Sequence, residues 1–239
     1  MLARVFGLAA LAALAALVAL GTAACGDGDG GEERDVSSVD AAAVLREAAD
    51  RLEAAESFHV RVEHENGSTQ IVSGLAMTFA EGDYAGPDRV RLEIQARAFG
   101  SNIASGVVIL PDTQYLKNPI TGRWMRQEIA IDQIFDPSSG ITALMRGVTG
   151  AKAVSSTRIE GVTAYVIEAE IDSGDLVAFV PNAQPGAAVQ ARVWVGVEDS
   201  RPYRAELAGP VAAGDAEDVV RRVDLSAFDV PVQITAPPQ

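Results

Sequence analysis

The run Arg-Val-Arg-Leu-Glu-Ile-Gln-Ala-Arg-Ala at 89–98 changes polarity at every step. Successive side chains of a strand point to opposite faces, so this pattern specifies a β-strand with one wet and one dry face. The same period recurs along the chain. Phe58, Val60 and Val62 alternate with His59, Arg61 and Glu63. Ile71, Leu75, Met77 and Phe79 share one parity, and 103–110 is a more apolar strand closed by Pro111-Asp112. Segments 114–117 and 123–126 flank turn residues at Asn118-Pro119 and Thr121-Gly122. Segments 151–158, 162–171, 189–197, 203–207 and 219–228 follow, with Glu160-Gly161 as a hairpin turn between two of them. Strands in series with no helix between most of them imply an antiparallel meander, dry on one face and charged on the other.

Helical periodicity is confined to four segments. Residues 38–56 carry Leu45, Ala48, Ala49 and Leu52 on one face and Arg46, Glu47, Asp50 and Glu53 on the other, with Ser37 and Asp40 spaced as a capping box. The alanines make this a slim helix suited to lying close against a sheet. Segments 127–135 and 140–148 are helical by spacing and are separated by the breaker Asp136-Pro137-Ser138-Ser139. Segment 172–180 reads as a short helix capped by Asp172 or Ser173. The expected class is therefore α+β, built on one antiparallel sheet. The last residues, 234–239, carry no structural signal beyond ending the final strand.

Charge and cysteine content exclude several functions. With 19 Lys+Arg against 33 Asp+Glu the net charge is −14, which opposes nucleic-acid binding, since phosphate neutralisation needs a basic surface. A single Cys excludes an internal disulfide framework and a Cys-rich zinc site. Aromatics are only 5%, so the core has to be aliphatic. Residues 41–239 hold no run of the ~18 apolar residues that a membrane-spanning helix needs.

No catalytic constellation emerges. His59 and His64 fall on opposite faces of one strand, cannot form a pair, and are expected at the surface. Glu168 and Glu170 share a strand face, which reads as a solvated surface before it reads as an acid–base pair. Arg89, Arg91 and Arg97 alternate with Glu93 as a mixed wet face. Asn66-Gly67-Ser68 reads as a hairpin turn. Asp27 and Asp29 do not fit a calcium loop. Neither enzymatic activity, nor a metal, nor a cofactor is expected.

The N-terminus is a targeting segment. Arg4 precedes an apolar run at 5–20, small residues follow at 21–24, and then comes Cys25. This resembles a bacterial lipoprotein signal in which Cys25 becomes the lipidated first residue, although Thr22 stands where such signals usually carry Leu. An ordinary secretory signal with an incidental Cys is the alternative. Residues 25–36 read as a tether; its eleven Gly-rich, acidic residues at 26–36 have a reach of about 17–20 Å. The expected organisation is a signal peptide at 1–24, a tether at 25–36 and a folded domain at 37–239.

Several features in order resemble the LppX/LprG (LppX_LprAFG) family of bacterial envelope lipoproteins. They are the signal ending at Cys25, the Ala/Leu helix running into Ser57-Phe58-His59-Val60, and Tyr115-Leu116-Lys117 followed by Trp124. The stretch from Phe135 through Ser139 to Gly140-Ile141 also fits, as does Val223-Asp224-Leu225-Ser226-Ala227-Phe228 with Pro231 and Pro237 after it. The resemblance implies a strongly curved antiparallel sheet, a half-barrel, with helices on its concave face, as in LolA/LolB-like lipid carriers. It implies an apolar cavity for the acyl chains of a glycolipid or other long-chain lipid, anchorage to the outer face of the cytoplasmic membrane, and a membrane transporter as a candidate partner.

The apolar parity then gives the expected lining. From the first half it comprises Val60, Val62, Leu75, Met77, Val90, Leu92, Ile94, Val107 and Ile109. From the second half it comprises Ile167, Val193 and Val195, with Ile134, Leu144 and Met145 contributed by the covering helices. The same residues suit a filled core, and that alternative, an envelope interaction module with a closed interior, stays open on the sequence alone.

Overall fold

The computed structural model describes residues 35–72, 74–98, 100–129, 140–180 and 182–238. The signal segment, Cys25, Ile134, the breaker at 136–139 and most of the helix expected at 127–135 lie outside the described residues.

One antiparallel sheet of 12 strands organises the domain, and it does not close. The first meander comprises β1 (Ser57–Glu65), β2 (Thr69–Val72), β3 (Leu75–Ala85), β4 (Arg89–Ala98), β5 (Ser101–Leu110), β6 (Thr113–Lys117) and β7 (Trp124–Arg126). The second comprises β8 (Lys152–Ile159), β9 (Val162–Asp172), β10 (Ala188–Gly196), β11 (Pro202–Ala208) and β12 (Val220–Ser226). The order is β7-β6-β5-β4-β3-β1-β12-β11-β10-β9-β8, so two up-and-down ribbons are zipped together by the pairing of β1 with β12. Glu160 and Gly161 both have positive φ, which gives β8 and β9 the two-residue hairpin turn their sequence specifies.

Among the described residues, two helices cover the dry face. In α1 (Ala41–Glu53) the buried residues are Ala41, Leu45, Ala48, Ala49 and Leu52. Asp40, not Ser37, is the N-cap: its carboxylate accepts from the Ala43 N–H at 3.0 Å, while the Ser37 N–H donates to Asp35. The second helix, α2 (Ile141–Gly147), is fastened to α1 by Arg146, which donates to Asp50 at 2.7 Å and to Glu53. Ala41, Leu45, Ala48 and Ala49 pack with Met145, Ile167 and Val195, so the alanine stripe does lie close to the sheet.

Four local expectations change. In β3, Met77 faces Ala96 and Phe79 faces Gln95, so Thr78 is a β-bulge residue. The bulge flips the parity beyond it. Phe79 therefore turns outward beneath the Arg61 guanidinium at 5.2 Å, and Ala80, Gly82 and Tyr84 take the inward positions. Asn66-Gly67-Ser68 is not a hairpin. Both β1 and β2 pair with β3, so β2 prolongs the line of β1 after a kink at Asn66, whose φ is 56°. The segment at 172–180 holds only a 3₁₀ turn, Ser173–Leu176, capped by the Asp172 carboxylate accepting from Gly174 at 2.7 Å; residues 127–129 are not helical. The C-terminal segment is a packed strap. Ile234 is buried with Ala85, Val108 and Tyr115, and Arg89 donates to its carbonyl at 3.4 Å. Val108 and Tyr115 lie on the opposite face from Val107 and Leu116, so the strap crosses the outside of the sheet.

Candidate functional site

A cavity of about 1020 Å³ begins between the helices and the dry face and continues past the end of β3 to the strap, where Ala85, Arg89, Val232 and Ile234 also line it. That volume is at the upper limit of the ~300–1,000 Å³ usual for small-molecule sites. Its floor is the inward parity of the central strands: Phe58, Val60 and Val62 of β1, Met77 and Ala80 of β3, Leu92 of β4, Leu207 of β11, and Val223 and Leu225 of β12. Ile141 and Thr142 of α2, Phe179, Val180 and the end of α1 form its roof. A smaller annex of about 70 Å³ lies beneath α2, lined by Leu144, Met145, Ile167, Ala191 and Val193 among others. It shares Ile141, Phe179, Leu207 and Val223 with the main cavity.

The expected lining residues thus divide by what they face. Val60, Val62, Met77 and Leu92 border the main cavity, and Leu144, Met145, Ile167 and Val193 border the annex. Leu75, Val90, Ile94, Val107 and Ile109 share the dry face but pack against one another, Leu116 and Ile129. Val195 packs beneath α1.

The two ends of the cavity differ in chemistry. At one end the lining includes the exposed residues Glu53, Glu56, Pro87, Asp229, Pro231, Gln233 and Thr235, which form a mouth rimmed by the C-terminal strap. The aromatic floor there is Phe58 stacked on Tyr84 at 4.6 Å, with Phe228 behind it at 6.0 Å. Tyr84 donates to the Pro87 carbonyl at 2.8 Å, and burial pushes its phenol above the usual value. Hydrogen bonds from Asp229 N–H to the Ser57 carbonyl (2.8 Å) and from the Ser57 hydroxyl to the Val230 carbonyl (2.5 Å) hold the start of the strap against β1.

At the other end the lining includes His64, Thr69 and Arg221. His64, expected at the surface, is part-buried and lines the cavity. Its Nδ1 lies 3.1 Å from the Thr78 carbonyl and so must carry the proton; Nε2 accepts from the Thr69 hydroxyl at 2.8 Å. Burial, assisted by the Arg221 charge, pulls its pKa down to about 4. Arg221 is 5% exposed and pairs with Asp215 at 2.7 Å. Asp215 also accepts from the Val211 and Ala212 N–H groups at 2.9 Å, and these bonds outweigh burial to hold its pKa below the usual value. Sequence reasoning missed this cluster. The only signal for it is an arginine on the apolar parity of β12, between Val219 and Val223.

The remaining candidate groups lie on the wet face. His59 sits between Asp83 at 2.8 Å and Glu81 at 3.3 Å; burial lowers its pKa, but the two carboxylates outweigh that and leave it raised. Glu168 accepts from Arg192 at 2.9 Å and Glu170 from Gln190 at 3.0 Å. Among the described residues, no cluster of His, Cys, Asp or Glu could hold a metal ion. None of their helices is long and apolar enough to cross a membrane.

The model of the LppX_LprAFG lipoprotein family matches residues 40–234, from the α1 cap through the strap. The chain belongs to the LppX_LprAFG lipoprotein family. That makes it one of a group of envelope-associated, lipid-binding lipoproteins. LprF from Mycobacterium bovis superposes with a TM-score of 0.65 at 18% identity, covering 83% of this chain and 97% of that one. Lipoprotein LppX of Mycobacterium tuberculosis superposes with a TM-score of 0.60 at 19% identity, covering 81% and 97%. At these identities the two structures establish the shared fold. No curated protein matches the chain by sequence.

Proposed function

We propose that this LppX_LprAFG lipoprotein holds the acyl chains of a glycolipid or other long-chain lipid in its cavity and carries or presents that lipid across the cell envelope. Cys25 is the acylated first residue, residues 25–36 tether the 37–239 domain to the outer face of the cytoplasmic membrane, and a membrane transporter is a candidate partner. The observation that carries this reading is a largely apolar cavity of about 1020 Å³ that runs from beneath the helices to the strap, in place of a fully packed interior. Sixteen methylenes withdrawn from water contribute roughly 12 kcal/mol. A bilayer offers about the same, so a carrier needs an aliphatic space of equal quality and a mouth at its surface, not tighter binding than the membrane.

Leu92→Trp tests the reading. Leu92 borders the cavity at mid-strand, opposite Gly82 and Val107. Expected is less lipid extracted per mole of protein with the thermal midpoint retained, because the void accepts the added volume; Val62→Phe, on the more open wall, should behave likewise. A lowered midpoint with no lipid in either protein, the signature of overpacking at about 1–3 kcal/mol, would mean a closed core. Mass spectrometry of membrane-extracted protein tests the anchor, which predicts Cys25 as an acylated mature N-terminus. Cleavage elsewhere, or an unmodified Cys25, removes that part of the proposal.

A further inference from the structure

We propose that one end of the first ribbon, capped by the β6–β7 hairpin, is a docking surface for an anionic lipid bilayer, with Ile120 inserted at its crest. The surface lies outside the cavity, and its role does not depend on what the cavity holds.

Strand register assembles it. Thr69 of β2 pairs with Met77, Ala76 with Arg97, and Ala98 with Ser101. The Ser105 hydroxyl donates to the Lys117 carbonyl at 2.7 Å, and Lys117 faces Trp124 across the hairpin. The segments brought to this end, 69–79, 95–104 and 113–127, contain Arg97, Lys117, Arg123 and Arg126 and no Asp or Glu. This is a cationic end on a chain whose net charge is −14. Among the described residues none of these four cations is in an ion pair, whereas Arg192, Arg204 and Arg222 of the second ribbon each hold a carboxylate. Arg97, Arg123 and Arg126 are exposed. The opposite end of the sheet, where the strap meets Ser57, carries the exposed acids Glu53, Glu56 and Asp229.

The crest is apolar and fixed. Ile120 is 83% exposed and Met125 42%. A lone exposed isoleucine needs no explanation, but this one tops a cationic hairpin and is held out by its own turn. The Asn118 carboxamide oxygen accepts from the Ile120 and Thr121 N–H groups at 2.9 Å each. The Gly122 N–H donates to the Asn118 carbonyl, and the Asn118 N–H to the Arg123 carbonyl, both at 2.8 Å. These bonds set the turn that leaves Ile120 in water.

Charge and apolarity together select the partner. Exposed charges more than about 8 Å apart are largely screened at physiological ionic strength. The local cations, not the acidic whole, therefore decide what this end attracts. Nucleic acid would match the cations but leave Ile120 wet. An anionic bilayer supplies phosphate for the cations and hydrocarbon for the crest. The anchor proposed at Cys25 holds the domain near a membrane without orienting it; docking through the hairpin stands the domain on its cationic end.

The mature full chain carrying Ile120→Trp should be reconstituted with vesicles of brominated phosphatidylcholine, with and without an equal part of phosphatidylglycerol. Its tryptophan quenching is compared with that of the unsubstituted chain, so the added quenching belongs to position 120. We expect added quenching only in the anionic vesicles, and its loss at high salt. Each cation at an anionic surface strengthens binding about fivefold, so Lys117→Gln/Arg123→Gln/Arg126→Gln should weaken docking about a hundredfold with the thermal midpoint retained. Arg158→Gln, on β8 at the other end of the sheet, should change docking by less than about twofold. Added quenching that is equal in the two vesicle types, or that survives the triple variant, overturns the docking surface. So does its absence from both, which would leave the hairpin to a protein partner. None of these outcomes bears on lipid extracted from the cavity, which is measured separately.

Discussion

The two ribbons of the sheet carry the same alternating code and bury it differently. In β4 the inward residues Val90, Leu92, Ile94 and Ala96 are 1–4% exposed, and facing them in β5 Val107 is fully buried. In β11 and β12 the inward residues Ala205, Leu207 and Val223 are equally apolar but only half-buried, although Leu225 and Arg221 on the same face are 5% exposed. At the β4–β5–β6 end of the first ribbon the inward residues pack with Leu116 and Ile129, whereas the centre of the sheet, from Val62 of β1 to Val223 and Leu207 of β12 and β11, borders the cavity. Alternation tells which face a residue is on. How deeply it is buried depends on what lies opposite, and that is contributed by segments far away in the chain.

The most direct way to break this comparison is to truncate one residue on each side. Ile94→Ala removes buried atoms from a filled region and should cost about 2–5 kcal/mol in denaturant unfolding. Val223→Ala trims a wall already open to a void and should cost under about 1 kcal/mol, since little contact is lost and no new cavity is sealed in. Equal costs at the two sites would mean that the second ribbon is packed as tightly as the first.

The residues that were legible in the sequence are those governed by local rules. The β4 stripe, the Glu160-Gly161 hairpin and the buried face of α1 follow from period and turn chemistry within a few residues. Phe79 was not legible, because one bulge residue at Thr78 inverts every position after it and nothing about threonine marks a bulge. Asn66-Gly67 reads as a hairpin locally; only the pairing of both flanking strands with β3 makes it a kink. The strap was missed because its buried Ile234 answers to a wet-face patch of Val108 and Tyr115, contributed by strands far earlier in the chain. The polar end of the cavity was out of reach for the same reason: it is assembled from β1, β2, β12 and the 211–219 loop.

The two faces of β1 should separate by pH. His64 faces the Thr78 carbonyl, Thr69, Arg221 and Asp215, and its pKa is lowered from 6.5 to about 4. The unfolded chain takes up a proton near pH 6.5 and the folded one does not. Stability is therefore intact above pH 6.5 and lost as pH falls towards 4, by on the order of 2–3 kcal/mol. His59, raised by Asp83 and Glu81, works in the opposite sense: its contribution is present below the unfolded pKa and disappears as pH rises through the folded one. It is a third exposed, so its effect is the smaller. Chemical denaturation at pH 7.5, 6 and 4.5 should show an acid-side loss that His64→Gln reduces and His59→Gln deepens. Loss unchanged by His64→Gln would place that imidazole in water.

The smallest effect belongs to the wet face, where both ribbons are alike. Arg192 pairs with Glu168 across β10 and β9, with side chains 48% and 40% exposed. A pair this open gains little Coulomb energy and loses side-chain entropy, so a double-mutant cycle of Arg192→Ala and Glu168→Ala should yield a coupling of about 0–1 kcal/mol that shrinks with added salt. Arg192 also lies 5.8 Å above the Trp194 ring, a contact that the cycle cancels because it is lost in both arms that remove the arginine. The Arg222–Glu206 and Arg204–Asp224 pairs are more enclosed, with side chains 28% and 17% exposed in the first and 28% and 14% in the second, so each needs its own cycle. With the Arg192–Glu168 pair weak, the difference between Ile94 and Val223 comes from the inner face, where Ile94 is packed and Val223 borders the cavity. A coupling of several kcal/mol, insensitive to salt, would move that difference outward and detach the half-burial of Val223 and Leu207 from the cavity.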